Sequence, residues 1–132
     1  MSDSLIQPEN TAESGTEGLR EVLDDLHRAC KDIQLSMIAT RDGLTMSSLG
    51  TVLEPERVGA MCTELLAVCE KTATELQRGN LEQMLVKGGD GCLLLLSAGE
   101  HAVLAVMSRP DANLGMVFLE AERAALAISK VI

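Results

Sequence analysis

A glycine-rich run, Gly88-Gly89-Asp90-Gly91, has a composition that could suit phosphate binding. Phosphate-binding loops offer backbone N–H groups at a helix N-terminus, commonly with a Lys-Ser or Lys-Thr pair after the last glycine. No such pair follows here, and the run leads into the apolar stretch Cys92–Ser97, which is typical of a strand. We therefore predict a tight turn between two strands at this position, and no cofactor.

Histidines and paired carboxylates could carry acid–base or nucleophilic chemistry, but their sequence neighbours do not support it. His27 lies in a helical stretch beside Asp24-Asp25, and His101 follows a predicted hairpin turn, with no Ser or Cys nucleophile placed near either. General acid–base catalysis needs carboxylates whose pKa values are pushed apart inside a cleft. We interpret Asp24-Asp25, and the pair Glu120 and Glu122, as solvated charges. Both histidines are expected at the surface or an edge, and the protein is not expected to be an enzyme.

The four cysteines, Cys30, Cys62, Cys69 and Cys92, do not have the spacing of metal ligands. A structural zinc site usually takes two close ligand pairs, whereas this sequence has no CxxC pair and no histidine next to a cysteine. Free cysteine is among the most buried residue types. We therefore expect reduced thiols in the core and no metal site.

Composition excludes two further classes of function. The 132-residue chain has a formal net charge of −9, and Phe118 is its single aromatic residue. Nucleic-acid binding relies on clustered Lys and Arg, and single-strand binding adds aromatic stacking, so no nucleic-acid partner is expected. No apolar run reaches the roughly 18 residues of a membrane helix, and the N-terminus lacks the positive charge of a signal peptide. We expect a cytoplasmic protein without direct membrane insertion, with an acidic, disordered tail over residues 1–16 and one domain over residues 17–132.

Apolar periodicity and turn signals divide this domain into three helices and five strands. In chain order they are a helix from about Glu17, strands Leu35–Arg41 and Leu44–Leu49, a helix from Pro55 to about Arg78, strands Leu81–Lys87, Cys92–Ser97 and Ala102–Ser108, and a helix after the N-cap Asn113. Asp42-Gly43 predicts a type I′ hairpin turn, which needs positive φ at both residues. Gly79 is expected to end the second helix in the left-handed conformation.

Strand composition predicts the order of the sheet. Cys92–Ser97 and Ala102–Ser108 are almost continuously apolar, which is typical of central strands covered on both faces. Leu44–Leu49 and Leu81–Lys87 carry polar residues and fit the two edges. The expected fold is an α/β (α+β) sandwich of order α-β-β-α-β-β-β-α, with one antiparallel five-stranded sheet in the order 2-1-5-4-3.

This succession of elements resembles the roadblock/dynein light-chain family. The segments that carry the resemblance are Arg41–Met46, Leu81–Val86 with the Gly88–Gly91 turn, Leu94–Ala105, and Asn113–Val117. The resemblance covers about residues 17–132, and it rests on the order and spacing of these segments. It implies that the first and third helices share one face of the sheet and that the second helix lies on the other. It also implies that two copies dimerise through the third strand and second helix into a ten-stranded sheet. Members of the family bind Ras-like small GTPases or act as adaptors in larger assemblies. Some bacterial members accelerate GTP hydrolysis by their partner GTPase.

Two features of the sequence favour a homodimer independently of the resemblance. The apolar stripe of the second helix is wider than the roughly 100° that burial on one side needs. The third strand would be an edge with light charge protection, which favours pairing with another strand. The residues predicted at the dimer interface are Met61, Leu65, Val68, Thr72, Leu81, Gln83, Met84 and Leu85. The alternative is a monomer in which the second helix is a central core helix.

The leading hypothesis is a dimeric module that binds a Ras-like small GTPase and modulates its hydrolysis of GTP. Its candidate contacts are the charged residues Arg57, Glu64, Lys71 and Arg78 of the second helix. A structural adaptor in a larger assembly, as a homodimer or heterodimer, is the main alternative. A small-molecule sensor is a weaker one.

Overall fold

An antiparallel sheet with helices on both faces forms the part of the chain that the computed structural model describes, residues 17–51 and 54–132. The tail predicted over residues 1–16 lies outside these residues. Helix α1 covers residues 17–29. The following elements are β1 (Ile33–Thr40), β2 (Thr45–Leu49), α2 (Pro55–Glu75), β3 (Met84–Gly88), β4 (Gly91–Ser97), β5 (Ala102–Ser108) and α3 (Leu114–Val131).

The strand order is β2-β1-β5-β4-β3, which confirms the order predicted from strand composition. All four neighbouring pairs are antiparallel. The apolar strand β5 lies at the centre, where Leu104 pairs with Ile38 of β1 and Ala105 pairs with Leu95 of β4. Strands β2 and β3 form the edges; β2 carries Thr45, Ser47 and Ser48, whereas β3, once it begins at Met84, keeps only Lys87 as a polar side chain.

Alternating side chains give the sheet two separate cores, one on each face. On one face, α1 and α3 pack on the strands through a cluster that includes Leu23, Ile38, Leu104 and Ile128. On the other face, α2 covers a smaller cluster that includes Met37, Leu66, Leu95 and Val103. The distribution of helices between the two faces is the one that the family resemblance implies.

The turn between β1 and β2 differs from the prediction. Gly43 has a positive φ of 93°, but Asp42 does not, so the turn is not type I′. Instead Gly43 N donates to Thr40 O and Thr40 N donates to Leu44 O, as in a three-residue hairpin loop that ends in a left-handed glycine. Helix α2 passes close by, since a Cβ on Gly43 would lie 3.0 Å from Ala60 Cα. Both the turn geometry and this approach require glycine.

Two boundaries near α2 also differ from the prediction. The helix ends at Glu75, not Arg78, because Gln77 takes the left-handed conformation there, with φ at 57°. Gly79 also has the positive φ predicted for it, 90°, but lies beyond the helix end. Arg78 N then donates to Ala73 O at 2.8 Å, which closes the helix end. Strand β3 begins at Met84, three residues later than predicted, because Leu81 turns in to pack against the core beneath α2.

Candidate interaction surface

Helix α2 crosses the sheet from one edge to the other. At its start, Thr45 Oγ1 of β2 donates to Pro55 O at 3.1 Å. Farther along, Cys69 Sγ lies 3.0 Å from Met84 Sδ of β3, a thiol–thioether contact. The C-terminal half of α2 therefore lies beside the open edge strand β3.

The outer side of α2 carries aliphatic residues that the fold leaves uncovered. Its buried residues are Gly59, Cys62, Thr63 and Leu66. Met61, Leu65, Val68 and Leu76 are 51%, 41%, 63% and 63% exposed. Together with exposed Thr72 they follow spacings of three and four residues and form one stripe. We call these five residues the α2 ridge.

Strand β3 presents one unpaired edge and exposed apolar side chains on both faces. Within residues 17–51 and 54–132 it hydrogen-bonds only to β4, and Lys87 is its one charged residue. Leu85 and Val86 are 39% and 46% exposed. Val86 faces the α2 side of the sheet, because it pairs with Leu93, which packs against the core under α2. An edge of this kind is a ready template for another strand.

The remaining predicted interface residues lie where α2 and β3 meet. Met84 is half-buried against Cys69, and Leu81 and Gln83 are half-buried just before the strand. Thr72 Oγ1 donates to Val68 O at 2.8 Å, so this hydroxyl already has a partner within the helix. The predicted residues thus lie along α2 and at β3, with Leu85 on the α1–α3 face of the sheet because it pairs with Leu94. Exposed Leu76 and Val86 lie next to them. Period-2 alternation along the strand was the signal that could have identified Val86.

The candidate GTPase contacts are exposed but do not form one cluster. Arg57 is in the first turn of α2, and Arg78 follows its last turn, so they lie at opposite ends of a helix about 30 Å long. Arg57 Nη1 is 3.8 Å from Glu54 Oε2, and Arg78 Nε donates to Leu76 O at 3.1 Å. Glu64 and Lys71 lie between them along the exposed side.

An ion pair that the sequence analysis missed fixes α2 to the sheet. Arg41 Nη1 donates to both carboxylate oxygens of Glu70, at 3.1 and 3.2 Å, and Arg41 Nη2 donates to Ser97 Oγ at 2.8 Å. One guanidinium thus joins the β1–β2 hairpin, the middle of α2 and the end of β4. No local pattern reveals the pair, because Arg41 and Glu70 are 29 residues apart.

His27, expected at the surface or an edge, is partly covered by its neighbours. It is half-buried, and its Nε2 lies 2.7 Å from Oγ of the buried Ser36. Burial lowers the pKa of His27 below its ordinary value, while nearby Asp24 acts in the opposite direction. His101 is exposed, as expected.

The cysteines and the glycine-rich run take the following positions in the residues that the structure describes. All four thiols are free; Cys30, Cys62 and Cys92 are buried, and burial raises the pKa of the Cys62 thiol. Within residues 17–51 and 54–132 no three His, Cys, Asp or Glu side chains are grouped so that they could hold a metal ion. Gly89 and Asp90 form the predicted turn between β3 and β4. None of the helices in the described ranges is long and apolar enough to span a bilayer.

Comparison with known proteins gives relatives of the same fold. Protein MJ0310 of Methanocaldococcus jannaschii, which is uncharacterised, is 36% identical over 105 residues, 79% of this chain and 90% of that protein. The gliding protein MglB of Thermus thermophilus superposes with a TM-score of 0.81 at 21% identity, over 89% of this chain and 90% of MglB. A structure described as MglB with tetrameric arrangement gives a TM-score of 0.82 at 22% identity, over 89% of each chain.

The family is set by a direct sequence match. The Roadblock/LC7 domain matches residues 19–108, which run from α1 to the end of β5 and include the α2 ridge and β3. With the five-stranded sheet and the three helices in the observed order, this match establishes that the chain belongs to the Roadblock/LC7 family.

Proposed function

We propose that this protein is a non-catalytic homodimeric regulator that binds a Ras-like small GTPase and modulates its hydrolysis of GTP. The observation that carries the proposal is the α2 ridge beside the open β3 edge. Membership in the Roadblock/LC7 family supports a regulatory role in general. The dimer and the GTPase are the specific parts of the proposal.

The dimer joins two copies through the same patch on each. Antiparallel pairing of β3 with β3 of a second copy gives every unpaired backbone group on that edge a partner, and a two-fold axis makes the contact self-complementary. The α2 ridge removes four large aliphatic side chains from water at the same seam, each of which contributes in proportion to the apolar area that it buries. The tetrameric arrangement of a structurally similar MglB supports self-association in this fold.

The GTPase contacts the exposed charged side of α2, where Arg57, Glu64, Lys71 and Arg78 are candidates. These residues are spread along the helix and form no catalytic cluster, so the dimer acts by repositioning the switch loops of the GTPase. Repositioning accelerates hydrolysis only if it favours the transition state over the ground state. A mixed-charge surface suits recognition, because complementary charges set the orientation of an encounter.

Substitutions on the α2 ridge and on β3, the two parts of the proposed contact between copies, test the dimer. Leu65→Asp and Leu85→Asp each place a charge that the dimer would desolvate, so both variants should run as folded monomers in size-exclusion chromatography with light scattering. Leu44→Asp is the matched control, since Leu44 is also an exposed leucine but lies in the β1–β2 hairpin at the far edge. Dimeric mass in both seam variants, with native circular dichroism, would place the interface elsewhere.

The rate of GTP hydrolysis tests whether the partner is a small GTPase. A small GTPase encoded beside this gene is the natural candidate, and its hydrolysis should change when the dimer is added. Lys71→Glu should weaken the effect and leave the dimer intact, whereas Lys130→Glu, on α3, should leave the effect unchanged. If no neighbouring GTPase binds the protein, and its rate of GTP hydrolysis does not change when the protein is added, the GTPase part of the proposal is refuted. The proposed dimer is not affected by that result.

A structural adaptor is the second candidate function. The observation that favours it is a second group of exposed apolar residues, on α3, on the face of the sheet opposite α2. Purification of the protein with its native partners separates the two functions, because an assembly without a GTPase supports the adaptor.

A further inference from the structure

The face of the sheet that α2 covers is left open at one end. Helix α2 packs over a cluster that includes Leu95 of β4 and Val103 of β5. Farther along the same face, Leu93 of β4 pairs with Met107 of β5, and both are only half-buried. Val86 of β3 pairs with Leu93 and is 46% exposed. Three aliphatic side chains at this end of the sheet therefore lack a helix above them.

These three side chains form the floor of a shallow groove, which we call the sheet groove. Its volume is about 450 Å³, and Gln34, Ser108 and the residues of the Gly88–Cys92 turn complete its lining. Among the described residues, Asp90 of the turn is the one charged residue of the lining. An aliphatic floor of this kind gains free energy when an apolar occupant removes it from water.

Helix α2 is longer than the sheet beneath it is wide. Its first residue, Pro55, contacts β2 through Thr45, and Cys69 contacts β3 through Met84. Between these two contacts the helix rises about 21 Å, at about 1.5 Å per residue. The five strands that it crosses span about 19 Å, at about 4.8 Å between neighbours. The residues from Cys69 to Leu76 therefore carry the helix about 10 Å farther, towards and past the β3 edge.

This last part of α2, residues 70–76, has little to pack against in a single copy, and we call it the α2 overhang. Glu70 is paired with Arg41, and Ala73 is half-buried. The other residues of the overhang, including Thr72 and Leu76 of the α2 ridge, are exposed. Because helices in proteins owe most of their stability to tertiary packing, an overhang without a surface beneath it lacks that support.

The α2 ridge faces the end of the sheet where the sheet groove lies. Ala60, Glu64 and Ala67, about a third of a turn around α2 from the ridge, line a cleft with Arg41 and Asp42 of the β1–β2 hairpin. That hairpin follows β1 at the end opposite to the groove. The ridge lies on the side of α2 away from the hairpin, so ridge and groove border one open, aliphatic corner.

We infer that the α2 overhang of a second copy covers the sheet groove, so that each copy completes the sheet of the other. Antiparallel pairing of β3 with β3 of a second copy, within one continuous sheet, requires a two-fold axis perpendicular to the sheet. This axis keeps both α2 helices on the same face and places them at opposite ends of the strands. The overhang of each copy then extends across the boundary over the groove end of the other.

Size and charge both suit this occupant. Three neighbouring strands span about 10 Å, which is the length by which the overhang continues beyond Cys69. Lys71 and Glu75 of the overhang have opposite charges, and Glu70 is already paired with Arg41. The overhang therefore brings no net unpaired charge onto the aliphatic floor, where burying one would be costly. The inference rests on the proposed dimer and adds to it a contact that strand pairing alone does not make.

Substitutions in the groove and on the overhang test the inference in the full chain. Leu93 lies on β4, one strand in from the boundary, where pairing of the β3 edges does not reach its side chain. We expect Leu93→Gln and Leu76→Gln each to raise the Kd of the dimer about tenfold, equivalent to about 1.4 kcal/mol. In the double variant the two effects should be less than additive, because both remove the same contact. Leu44→Gln, at the far edge, is the matched control and should leave the Kd unchanged.

Cross-linking gives a second measurement that does not depend on a polar substitution in the groove. A chain carrying both Leu76→Cys and Leu93→Cys, treated with a short bismaleimide, should give a product of twice the chain mass. The matched chain carries Leu44→Cys and Leu93→Cys and should give no more of this product than the parent, whose four native thiols set the background.

The inference is overturned if folded Leu93→Gln dimerises as tightly as the parent, or if the effects of Leu76→Gln and Leu93→Gln are fully additive. It is also overturned if the two cysteine chains cross-link equally. Each of these results leaves the proposed dimer standing with a different contact above the sheet. A parent that stays monomeric at micromolar concentrations would refute the proposed dimer and this inference together.

Discussion

His27 of α1 is half-buried, with its Nε2 2.7 Å from Oγ of Ser36 in β1, and its burial links the stability of the fold to pH. Because burial lowers the pKa of His27 in the folded protein, the unfolded chain binds the proton more readily below the ordinary value of 6.5. The free energy of unfolding is therefore expected to be highest above that value and to decrease as the pH falls through it towards the lower folded pKa.

Replacing His27 tests this coupling. Glutamine can keep a hydrogen bond to Ser36 Oγ but does not titrate, so His27→Gln should lose less Tm than the parent between about pH 7.5 and about pH 5.5. His101→Gln removes an exposed histidine and should keep the pH dependence of the parent. Equal acid sensitivity in the parent and His27→Gln would show that His27 does not carry it.

The Arg41–Glu70 pair should contribute measurably to stability because Nη1 of Arg41 donates to both carboxylate oxygens of Glu70 while Nη2 donates to Ser97 Oγ. Arg41→Ala should lower the free energy of unfolding by about 1 kcal/mol, a value limited by the partial exposure of both side chains. Arg57→Ala removes the same charge from an exposed pair at 3.8 Å and should change it by less than about 0.5 kcal/mol. Urea unfolding of both variants gives the comparison, and equal losses would contradict this role for Arg41.

At the scale of the elements, Gly91 lets the β3–β4 hairpin meet the end of β5. Its φ is 142°, and a Cβ at this position would lie 2.3 Å from Ser108 O. Gly91→Ala should therefore destabilise the fold by about 2 kcal/mol or more, since backbone must shift to accept the methyl group. Gly89→Ala, two residues earlier with no atom within 4 Å of its Cβ, should cost less than about 0.5 kcal/mol. If the two variants unfold at similar urea concentrations, the close approach of Gly91 to Ser108 O does not limit the stability of the fold.

The elements differ in how far the sequence could predict them. The apolar runs of β4 and β5 predicted that both strands are central, because a strand buried on both faces cannot form an edge. The polar character predicted for the third strand came from Glu82 and Gln83, which lie before the observed β3. The wide stripe of α2 left open which border exceeds what the fold can bury, Met61, Val68 and Thr72 or Leu66 and Ala73. The structure exposes Met61 and Val68 and buries Leu66. The end of α2 could not be predicted, because Gln77 rarely adopts positive φ while Gly79 is an obvious candidate. The half-buried position of His27 also escaped prediction, since its partner Ser36 comes from another element.

At the scale of the whole molecule, the sheet divides the helices between two faces, with α2 on one and α1 and α3 on the other. The α2 ridge and β3 form the surface proposed for the second copy, with the GTPase contacts on the exposed charged side of the same helix.

The central claim is that two copies associate through β3 and α2. Sedimentation velocity of the unmodified full chain at micromolar concentrations tests it most directly, with hydrogen exchange of the Met84–Gly88 amides followed in the same samples. We expect a species of twice the chain mass and slow exchange of those outward-facing amides that are free in a single copy. A species of single-chain mass at every concentration, with those amides exchanging freely, would contradict the account.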